Sequence, residues 1–433
     1  MLADIGDGRS DNGARRGSDE PGPTGPPGRP RPETRTSRPC WNRRTAWRIA
    51  AAGVSLAAVV SAAACSSSTS SASPSSSGSS SGSSTPSDAG SSGATQAANL
   101  AAAQAALAPY IGHSSAFPVT EPLTAKLPAG KKFVYLQCST PICAEVGDLL
   151  QGAVKGIGGT MTVVNAGATA TTAQAAAASA LALKPDAVIL GAISPSLFGS
   201  GLKTLANAGV KLVSLQVDQN VAPFGITFNY LGTNLSLRNG QLLADWVIAN
   251  EGAHANAVLY TLPALDISAP VQQAFQAEMA KDCPTCTVRI VPIDVATIGT
   301  TAPSTVVTDL QAHPNTNVAV FVSLSAAAGL PAALKAASIS VKTVGFGPTA
   351  GNLQDIKDGN LTAALDIDFP VSTWTAVDAA ARLIEGGKPT ASEQAGDVPE
   401  EFLSQKNITF NPNLGWSAYP DFAQRFAALW HTS

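Results

Sequence analysis

Cysteines are the residues of this sequence whose spacing most directly suggests chemistry. Six are present, and four of them form two close pairs, Cys138 with Cys143 and Cys283 with Cys286. Such short separations favour two disulfide bonds in an exported protein. A zinc site made by all four thiolates is the rival interpretation, but it requires two distant segments to converge without a flanking histidine. A redox role for Cys283 and Cys286 is favoured less still, because the pair precedes a predicted strand and lacks the helix N-terminus that lowers a thiol pKa.

Motifs for catalysis are scarce. The single Gly-x-Ser-x-Gly match, from Gly78 to Gly82, lies in a serine-rich stretch with no strand before it or helix after it, and no His-Glu-x-x-His or Walker motif occurs. None of the four histidines falls at a predicted strand end: His113, His254, His313 and His431. Asp366 and Asp368 could suggest acid–base catalysis or calcium binding, but a strand that faces a cleft explains the pair more simply. We therefore expect no catalytic residue, no metal and no cofactor, and an exported α/β hydrolase is the less favoured alternative.

Polar side chains recur where predicted strands end. In an open α/β sheet, small molecules bind beyond the carboxyl ends of the strands, where loop amides and helix N-termini converge. The candidate ligand-binding residues at these positions are Ser139, Thr140, Asp218, Gln219, Asp266, Ser325 and Asp368. Asp218 is the first choice among them, and the alternative for this residue is a helix N-cap or a loop carboxylate.

The elements that must position these side chains alternate along the chain from Lys131 onward. Runs rich in β-branched residues alternate with alanine-rich helical stretches, which is the pattern of βαβ units on a parallel sheet. Strands are predicted at residues 133–136, 162–164, 187–190, 211–215, 226–228, 257–260, 288–291, 318–322, 343–346 and 361–368. Helices are predicted near 144–157, 171–184, 197–208, 236–250, 269–281, 303–312, 326–338 and 372–386, followed by an irregular tail. Since these strands exceed one sheet of ordinary size, the sequence predicts two similar α/β halves.

The N-terminal part of the chain predicts export. Residues 1–42 are rich in proline, glycine and arginine without apolar periodicity, so we expect a disordered extension. Residues 43–65 have the pattern of a lipoprotein signal peptide, with basic residues, a short apolar run, and small residues directly before Cys65. Because small residues followed by cysteine resemble the lipobox of bacterial lipoproteins, Cys65 is the predicted lipidation site. Residues 66–130 are the predicted serine-rich linker and lead-in, with flexible coil through residue 96.

Two alternatives stay open for this segment. A plain signal peptide could be cleaved after one of several alanines and leave Cys65 incidental, since Ala62 stands where a lipobox usually has leucine. The pair Arg43 and Arg44 could instead belong to a twin-arginine export signal.

Composition excludes some classes of partner. The formal net charge is −3 and only 13% of the residues are charged, so no basic field for nucleic acid is expected. A cytoplasmic repressor with a similar core would need a helix-turn-helix before the first strand, where this chain has serine-rich coil.

The order of elements between about 131 and 390 resembles the type I periplasmic binding proteins, in particular the ribose- and sugar-binding branch of bacterial ABC importers. The matching phrases are Lys184-Pro185-Asp186, Ala208-Gly209-Val210, Val217-Asp218, Asn234 with Arg238-Asn239-Gly240, Val344-Gly345-Phe346 and Ile356-Lys357-Asp358-Gly359. The resemblance implies two Rossmann-like lobes with parallel sheets joined by a hinge, where the chain crosses near Asn234, near Asp368 and after about Gly387. It assigns residues 131–233 and about 369–390 to the N-terminal lobe, and residues 234–368 and about 391–433 to the C-terminal lobe.

The resemblance also implies a function. A monomeric solute-binding lipoprotein, anchored to the outer face of the cell membrane through Cys65, would capture a sugar-like molecule and deliver it to an ABC transporter permease. A lipoprotein that presents its ligand to a membrane signalling receptor is the alternative. Several sugar contacts of the family are changed, because Gln219 stands in place of an arginine, Gly347 in place of an aspartate, and Asp368 in place of a hinge-side glutamine. A less hydroxylated ligand is therefore an alternative to the sugar that the family implies.

Overall fold

The computed structural model describes residues 89–112 and 116–433. The predicted disordered extension, the signal peptide, the lipidation site Cys65 and His113 lie outside the described residues. Within the described part of the chain, no helix combines the length and the apolar content that crossing a bilayer requires.

Helices and strands alternate over most of the described chain. The strands are β1 (Lys132–Gln137), β2 (Thr160–Asn165), β3 (Ala187–Gly191), β4 (Lys211–Leu215), β5 (Phe228–Tyr230), β6 (Asn256–Thr261), β7 (Thr287–Pro292), β8 (Val318–Phe321), β9 (Lys342–Gly345), β10 (Ala363–Ile367) and β11 (Glu400–Ser404). The helices are α1 (Ala89–Leu107), α2 (Pro141–Gly156), α3 (Ala170–Ala182), α4 (Gly201–Asn207), α5 (Thr233–Glu251), α6 (Ser268–Asp282), α7 (Ala302–Ala312), α8 (Leu330–Ala336), α9 (Ala350–Lys357), α10 (Phe369–Ile384), α11 (Ala391–Ala395) and α12 (Phe422–Leu429).

The strands form two separate sheets, as the sequence predicts. The first sheet has the order β2-β1-β3-β4-β5 and is parallel throughout. The second has the order β7-β6-β8-β9 and is also parallel, and the bridge between Phe346 and Leu365 joins it to the antiparallel pair β10-β11. Every residue of β3 and β8 is buried, which is the apolar pattern expected of strands covered by helices on both faces.

The chain crosses between the two sheets at the places that the resemblance implies. It leaves the first sheet after β5, and α5 then packs on α6 beside the second sheet. It returns after β10, because α10 packs on α2 and β4, and it crosses once more to pair β11 with β10. We call the first sheet with its helices the first lobe, and the second sheet with its helices the second lobe.

The start of α10 shows how the local sequence fixes one crossing. Asp368 is the N-cap residue, and its Oδ1 accepts a hydrogen bond of 2.9 Å from the Val371 N–H. Pro370 occupies the first turn, where its missing N–H costs no hydrogen bond. The helix therefore begins directly after β10 and turns the chain back to the first lobe.

The end of the chain differs from the prediction. Residues 391–433 were expected in the second lobe, but α12 packs on α2 and α10 of the first lobe. Trp430 stacks on Trp374 with ring centroids 5.0 Å apart, and its Nε1–H donates to Asp378 Oδ1 at 2.6 Å. Only β11 and its neighbouring loops belong with the second sheet. These aromatic contacts are long-range, so helical periodicity alone could not assign the tail to a lobe.

Residues 89–96 also differ from the prediction, because they open α1 rather than forming flexible coil. The helix packs on α5, and the Asn99 side-chain amide donates to the Asp282 carbonyl at 2.8 Å. The small residues of this stretch have little hydrophobic pattern of their own, so packing on α5 supplies what the local sequence does not.

Candidate functional site

Three neighbouring strands of the first sheet each end in a residue with a left-handed backbone. Ala192 follows β3 with φ of 44°, Gln216 follows β4 with φ of 54°, and Leu231 follows β5 with φ of 59°. A positive φ is strained for a residue with a Cβ and persists where the surrounding structure imposes it. All three residues line one cavity between the lobes. Backbone strain thus collects at the carboxyl edge of the sheet, where α/β proteins place their ligand sites.

The cavity is enclosed by both lobes and is mainly apolar. It has a volume of about 40 Å³, well below the roughly 150 Å³ of an engineered core cavity that holds benzene. The apolar residues that line it are Ile142, Val146, Leu215, Leu231, Leu265, Ile267, Phe346, Ile367 and Phe369, with Tyr135 beside them. A ring-sized molecule would therefore need the lobes to separate or side chains to move before it could enter.

In one wall of the cavity, Tyr135 lies so close to the end of β3 that only glycine fits there. A Cβ atom at Gly191 would lie 2.7 Å from the Tyr135 hydroxyl oxygen. Gly191 is the last residue of β3, and it directly precedes the strained Ala192. The strand end is thus shaped to let the Tyr135 ring reach the cavity.

Most hydroxyl groups in the lining already donate hydrogen bonds within the protein. Thr140 donates to the Cys143 sulfur at 3.1 Å, because a disulfide sulfur has no proton to give. Ser372 donates to the Asp368 carbonyl at 2.6 Å, and Thr373 donates to the Phe369 carbonyl at 2.8 Å. In contrast, the buried Nε2 of Gln216 has no hydrogen-bond partner. Gln216 and Tyr135, whose hydroxyl group makes no hydrogen bond in the described structure, are therefore the polar side chains of the lining with a free donor.

Three of the predicted site residues form a cluster that joins the lobes beside the cavity. Asp266 follows β6, and its Oδ2 accepts from the Asp218 N–H at 2.6 Å. Its Oδ1 accepts from the Gln219 side-chain amide at 2.7 Å, and the same amide donates to the Ser194 hydroxyl. We call these four residues the latch. None of them lines the apolar cavity, but they hold the carboxyl edges of the two sheets together.

The Asp218 carboxyl group is the member of the latch whose negative charge is poorly stabilised. Its Oδ2 accepts from the Ser236 hydroxyl at 2.8 Å, while its Oδ1 is buried without a partner. Burial, and to a lesser extent the nearby Asp266 carboxylate, raises the pKa of Asp218 to about 6. The Ser236 hydrogen bond opposes this rise.

The other predicted site residues have different positions. Thr140 lines the cavity, whereas Ser139 is exposed and absent from the lining. Ser325 is fully buried and is hydrogen-bonded to Ser323 at 2.9 Å. Ser323, and not Ser325, lines the cavity. Asp368 is 0% exposed and also lies outside the lining.

The Asp368 carboxylate is occupied by hydrogen bonds within the protein. Besides capping α10, it accepts hydrogen bonds from the Ser417 hydroxyl at 2.8 Å and from the Ala418 N–H at 2.9 Å. Burial raises its pKa to about 7 in spite of these donors. Because β10 ends at Ile367, Asp368 does not share a strand face with Asp366 as the sequence suggested.

A known family model shows to which protein family the chain is related. A model described as a periplasmic binding protein domain matches residues 133–388, which is more than half of the sequence. The chain belongs to the periplasmic binding protein family. Its two lobes of parallel sheets are the type I form of that fold, as the sequence resemblance implied.

Solved structures share the fold of this periplasmic binding protein at low sequence identity. A myo-inositol binding protein from Caulobacter, solved with myo-inositol, has 18% identity and a TM-score of 0.56, and the match covers 67% of this chain and 97% of that one. A solute-binding protein of an ABC transporter from Mycobacterium smegmatis, solved with glycerol, has 18% identity and a TM-score of 0.56, and the match covers 67% of this chain and 99% of that one.

The same fold also serves regulators. A Bacteroides fragilis structure described as a LacI transcriptional regulator has 13% identity and a TM-score of 0.56, and the match covers 64% of this chain and 98% of that one. No curated protein matches the sequence. At sequence identities this low, the solved structures show only that the fold is shared. The function of this periplasmic binding protein depends on the residues of its own site.

Both predicted disulfides of the binding protein are confirmed. Cys138 is bonded to Cys143, with Cα atoms 5.6 Å apart, and Cys283 is bonded to Cys286, with Cα atoms 5.3 Å apart. The first bond lies in the cavity wall, since both cysteines line it. The zinc alternative is overturned, because the two pairs lie in different lobes and each sulfur is already bonded.

A second cavity of about 180 Å³ lies next to the first and has an acidic lining that includes Glu145, Asp148 and Asp366. Glu145 accepts hydrogen bonds from the Ala350 N–H at 3.1 and 3.2 Å, which is a further contact between α2 and the second lobe. Asp366 is buried with an unpartnered Oδ1, and burial and the neighbouring Asp368 raise its pKa well above the ordinary value. A neutral, protonated Asp366 suits such a position better than a charged one.

One group of carboxylates in the described residues has a spacing compatible with a metal ion. Oxygen atoms of Asp245, Glu278 and Asp282, at the packing of α5 on α6, lie within 4.8 Å of one another. The Lys281 ammonium already bonds Glu278 at 2.9 Å and Asp282 at 3.1 Å. This lysine supplies positive charge to the group, which lies on α5 and α6 away from the cavity lining.

Sequence reasoning found three of the four latch residues but missed most of the cavity lining. Gln216 and Leu231 were not selected because their side chains reach the cavity only through a left-handed backbone. Phe346 stands in a phrase that carried the family resemblance, yet neither it nor Phe369 was considered as a site residue. The positions of these residues in the sequence could have identified them, because each lies within two positions of a strand end.

Proposed function

We propose that this protein is an extracytoplasmic solute-binding lipoprotein that captures a small molecule between its lobes and delivers it to an ABC importer. The observation that carries the proposal is the enclosed cavity at the facing carboxyl edges of two parallel sheets, with the latch across its side. Lobes that close over a site in this way bind a small molecule by expelling water from the cleft between them.

Delivery to a transporter is supported by the family and by one related structure. The Mycobacterium smegmatis protein of the same fold is described as a solute-binding protein of an ABC transporter. The sugar-like ligand that the family implies is supported by relatives solved with myo-inositol and glycerol. Gln219 and Gly347 depart from the sugar-binding pattern, so the family alone does not fix the class of ligand.

Binding is tested by thermal denaturation of the exported protein against sugars, polyols, amino acids and aromatic acids. A true ligand raises the melting temperature progressively with its concentration, because it binds only the folded state. We expect at least one compound class to do so. If no compound in any class changes the melting temperature, the binding function proposed here is wrong.

Anchoring is tested by replacing a single cysteine. In a bacterial host fed with radiolabelled palmitate, the wild-type protein should incorporate label and remain with the membrane, and Cys65→Ala should lose the label and appear in the medium. Cys40→Ala is the matched control, because Cys40 precedes the predicted cleavage site and should not change labelling. Undiminished labelling of Cys65→Ala would assign the modification elsewhere and leave export by a plain signal peptide.

A further inference from the structure

We infer that the cavity between the lobes selects a compact, largely apolar molecule with one hydrogen-bond acceptor, rather than a polyhydroxylated sugar. The inference rests on the proposed function, because it names the class of molecule that the proposed clamp would capture. It is carried by the chemistry of the lining, by the hydrogen bonds that the lining already makes, and by the position of Gln216.

The lining has few groups that could satisfy a sugar. None of the described residues that line the cavity is charged. Carboxylates and guanidinium groups are the side chains that pair strongly with adjacent hydroxyls, and the carboxylates of Asp218 and Asp266 belong to the latch instead of the lining. A sugar would therefore meet mostly carbon at the faces where its hydroxyls need partners.

Three of the five side-chain hydroxyl groups in the lining already donate within the protein. Thr140, Ser372 and Thr373 each donate to a partner inside the protein, so they can only accept from a ligand. A sugar hydroxyl both donates and accepts, and each buried polar group left without a partner costs about 1–3 kcal/mol. Several such losses would outweigh the apolar contacts that a sugar ring could make. A molecule with few polar groups avoids them.

Gln216 supplies a specific polar contact. Its backbone N–H is fixed by a hydrogen bond of 2.9 Å to the Tyr230 carbonyl, and its left-handed φ directs the residue toward the cavity. The Nε2 atom is buried and has no partner in the described structure. An unsatisfied amide donor in an apolar enclosure matches a carbonyl, ether or single hydroxyl oxygen on the ligand.

The test compares molecules of one ring size. Cyclohexanone and cyclohexanol carry one oxygen on a six-membered ring, whereas myo-inositol carries a hydroxyl on every carbon of the same ring. We expect cyclohexanone or cyclohexanol to bind the exported protein at least about 100-fold more tightly than myo-inositol, measured by calorimetry and by concentration-dependent thermal shifts.

The role of Gln216 is tested with a matched pair of ligands and variants. Methylenecyclohexane has the shape of cyclohexanone without its oxygen, so the wild type should bind cyclohexanone about tenfold more tightly than methylenecyclohexane. Gln216→Met keeps the side-chain length but removes the amide, and it should reduce this preference without weakening methylenecyclohexane. Gln354→Met is the control, because Gln354 is exposed on α9 and bonds Asp358; the preference should persist there.

The outcomes separate the inference from the proposed function. Tighter binding of myo-inositol than of both one-oxygen rings would overturn the inference and leave the solute-binding function intact. Equal weakening of cyclohexanone and methylenecyclohexane by Gln216→Met would show that Gln216 acts on structure and not as the donor. Absence of binding by these rings and by every class of the wider screen would overturn the inference and the proposed function together. The wild-type comparison stands even where a variant fails to fold.

Discussion

The carboxyl groups of Asp218 and Asp266 lie in one hydrogen-bond cluster, yet they are satisfied unequally. Each oxygen of Asp266 accepts a hydrogen bond from the opposite lobe, one from the Asp218 N–H and one from Gln219. One carboxylate oxygen of Asp218 accepts from the Ser236 hydroxyl, and the other is buried without a partner. A second negative charge is thus poorly accommodated, which is why the pKa of Asp218 rises to about 6.

Asp218→Asn should therefore stabilise the protein at pH 7.5. The pKa of Asp218 is higher in the folded protein than its ordinary 3.8, so the folded state binds the proton more tightly. The stability from this proton is fully present below pH 3.8 and is lost as the pH rises through about 6. The variant removes the charge, and we expect a gain at pH 7.5 of at most about 2 kcal/mol, reduced by solvent screening.

The measurement is the melting temperature at pH 5 and at pH 7.5. The difference between the two should shrink in Asp218→Asn. Asp421→Asn is the control, since the pKa of Asp421 is lowered by Arg425 and its proton exchange lies below this range. If both variants keep the wild-type pH dependence, the Asp218 carboxylate is better solvated than its buried oxygen indicates.

At the scale of secondary-structure elements, the alternation of strands and helices was visible in the sequence because buried strands are short apolar runs between helical stretches. The ten strands predicted from residue 133 to 368 are all present, although β5 begins at Phe228 and not at residue 226. β11 was missed because it begins with Glu400 and Glu401, which do not form an apolar run. Glu400 is buried only because Arg238 of α5 pairs with it at 3.0 Å, a contact between residues far apart in sequence.

The site could be predicted only in part, because local sequence patterns do not show every residue that lines a cavity. Strand-end polar residues mark the edge of a sheet, which located Asp218, Gln219 and Asp266. The apolar lining has no such mark, because an isoleucine in a cavity and an isoleucine in the core have the same sequence pattern. The left-handed backbone of Gln216 depends on the turn after β4, and glutamine has no sequence preference that announces it.

The packing of α5 on α6 supports the second lobe and depends on one small residue. A Cβ atom at Gly240 would lie 2.7 Å from Ala274 Cβ and would also clash with the Val271 carbonyl oxygen. Gly240→Ala should therefore destabilise the protein by about 1–3 kcal/mol through overpacking. Gly152→Ala is the matched control within α2, where nothing lies within 4 Å of the added carbon, and it should stabilise by about 0.5–1 kcal/mol.

Thermal denaturation of the two glycine variants measures these opposite effects. Since both changes add one methyl group inside a helix, helix propensity alone predicts a gain in both. A gain in Gly240→Ala would show that α5 can move away from α6 at little cost. The close approach of these two helices would then not be a requirement of the fold.

At the scale of the whole molecule, the two lobes are in direct contact. The latch joins them on one side, and Glu145 bonds the Ala350 N–H at the start of α9 on the other. The cavity that remains is about 40 Å³. A solute must enter while the lobes are apart, so the population of the open form limits the apparent affinity.

Asp266 is the residue on which this closure depends most, because both of its carboxylate oxygens accept hydrogen bonds from the first lobe. Asp266→Ala should therefore shift the unliganded protein toward the open form and increase its radius of gyration in small-angle X-ray scattering. The melting temperature should change little, since the latch lies between the lobes and not in either core. Asp294→Ala is the control, because the Asp294 carboxylate caps a turn after β7 by accepting from the Ala296 N–H of the same turn. An unchanged radius of gyration in Asp266→Ala would mean that apolar contact across the cavity, and not the latch, holds the lobes together.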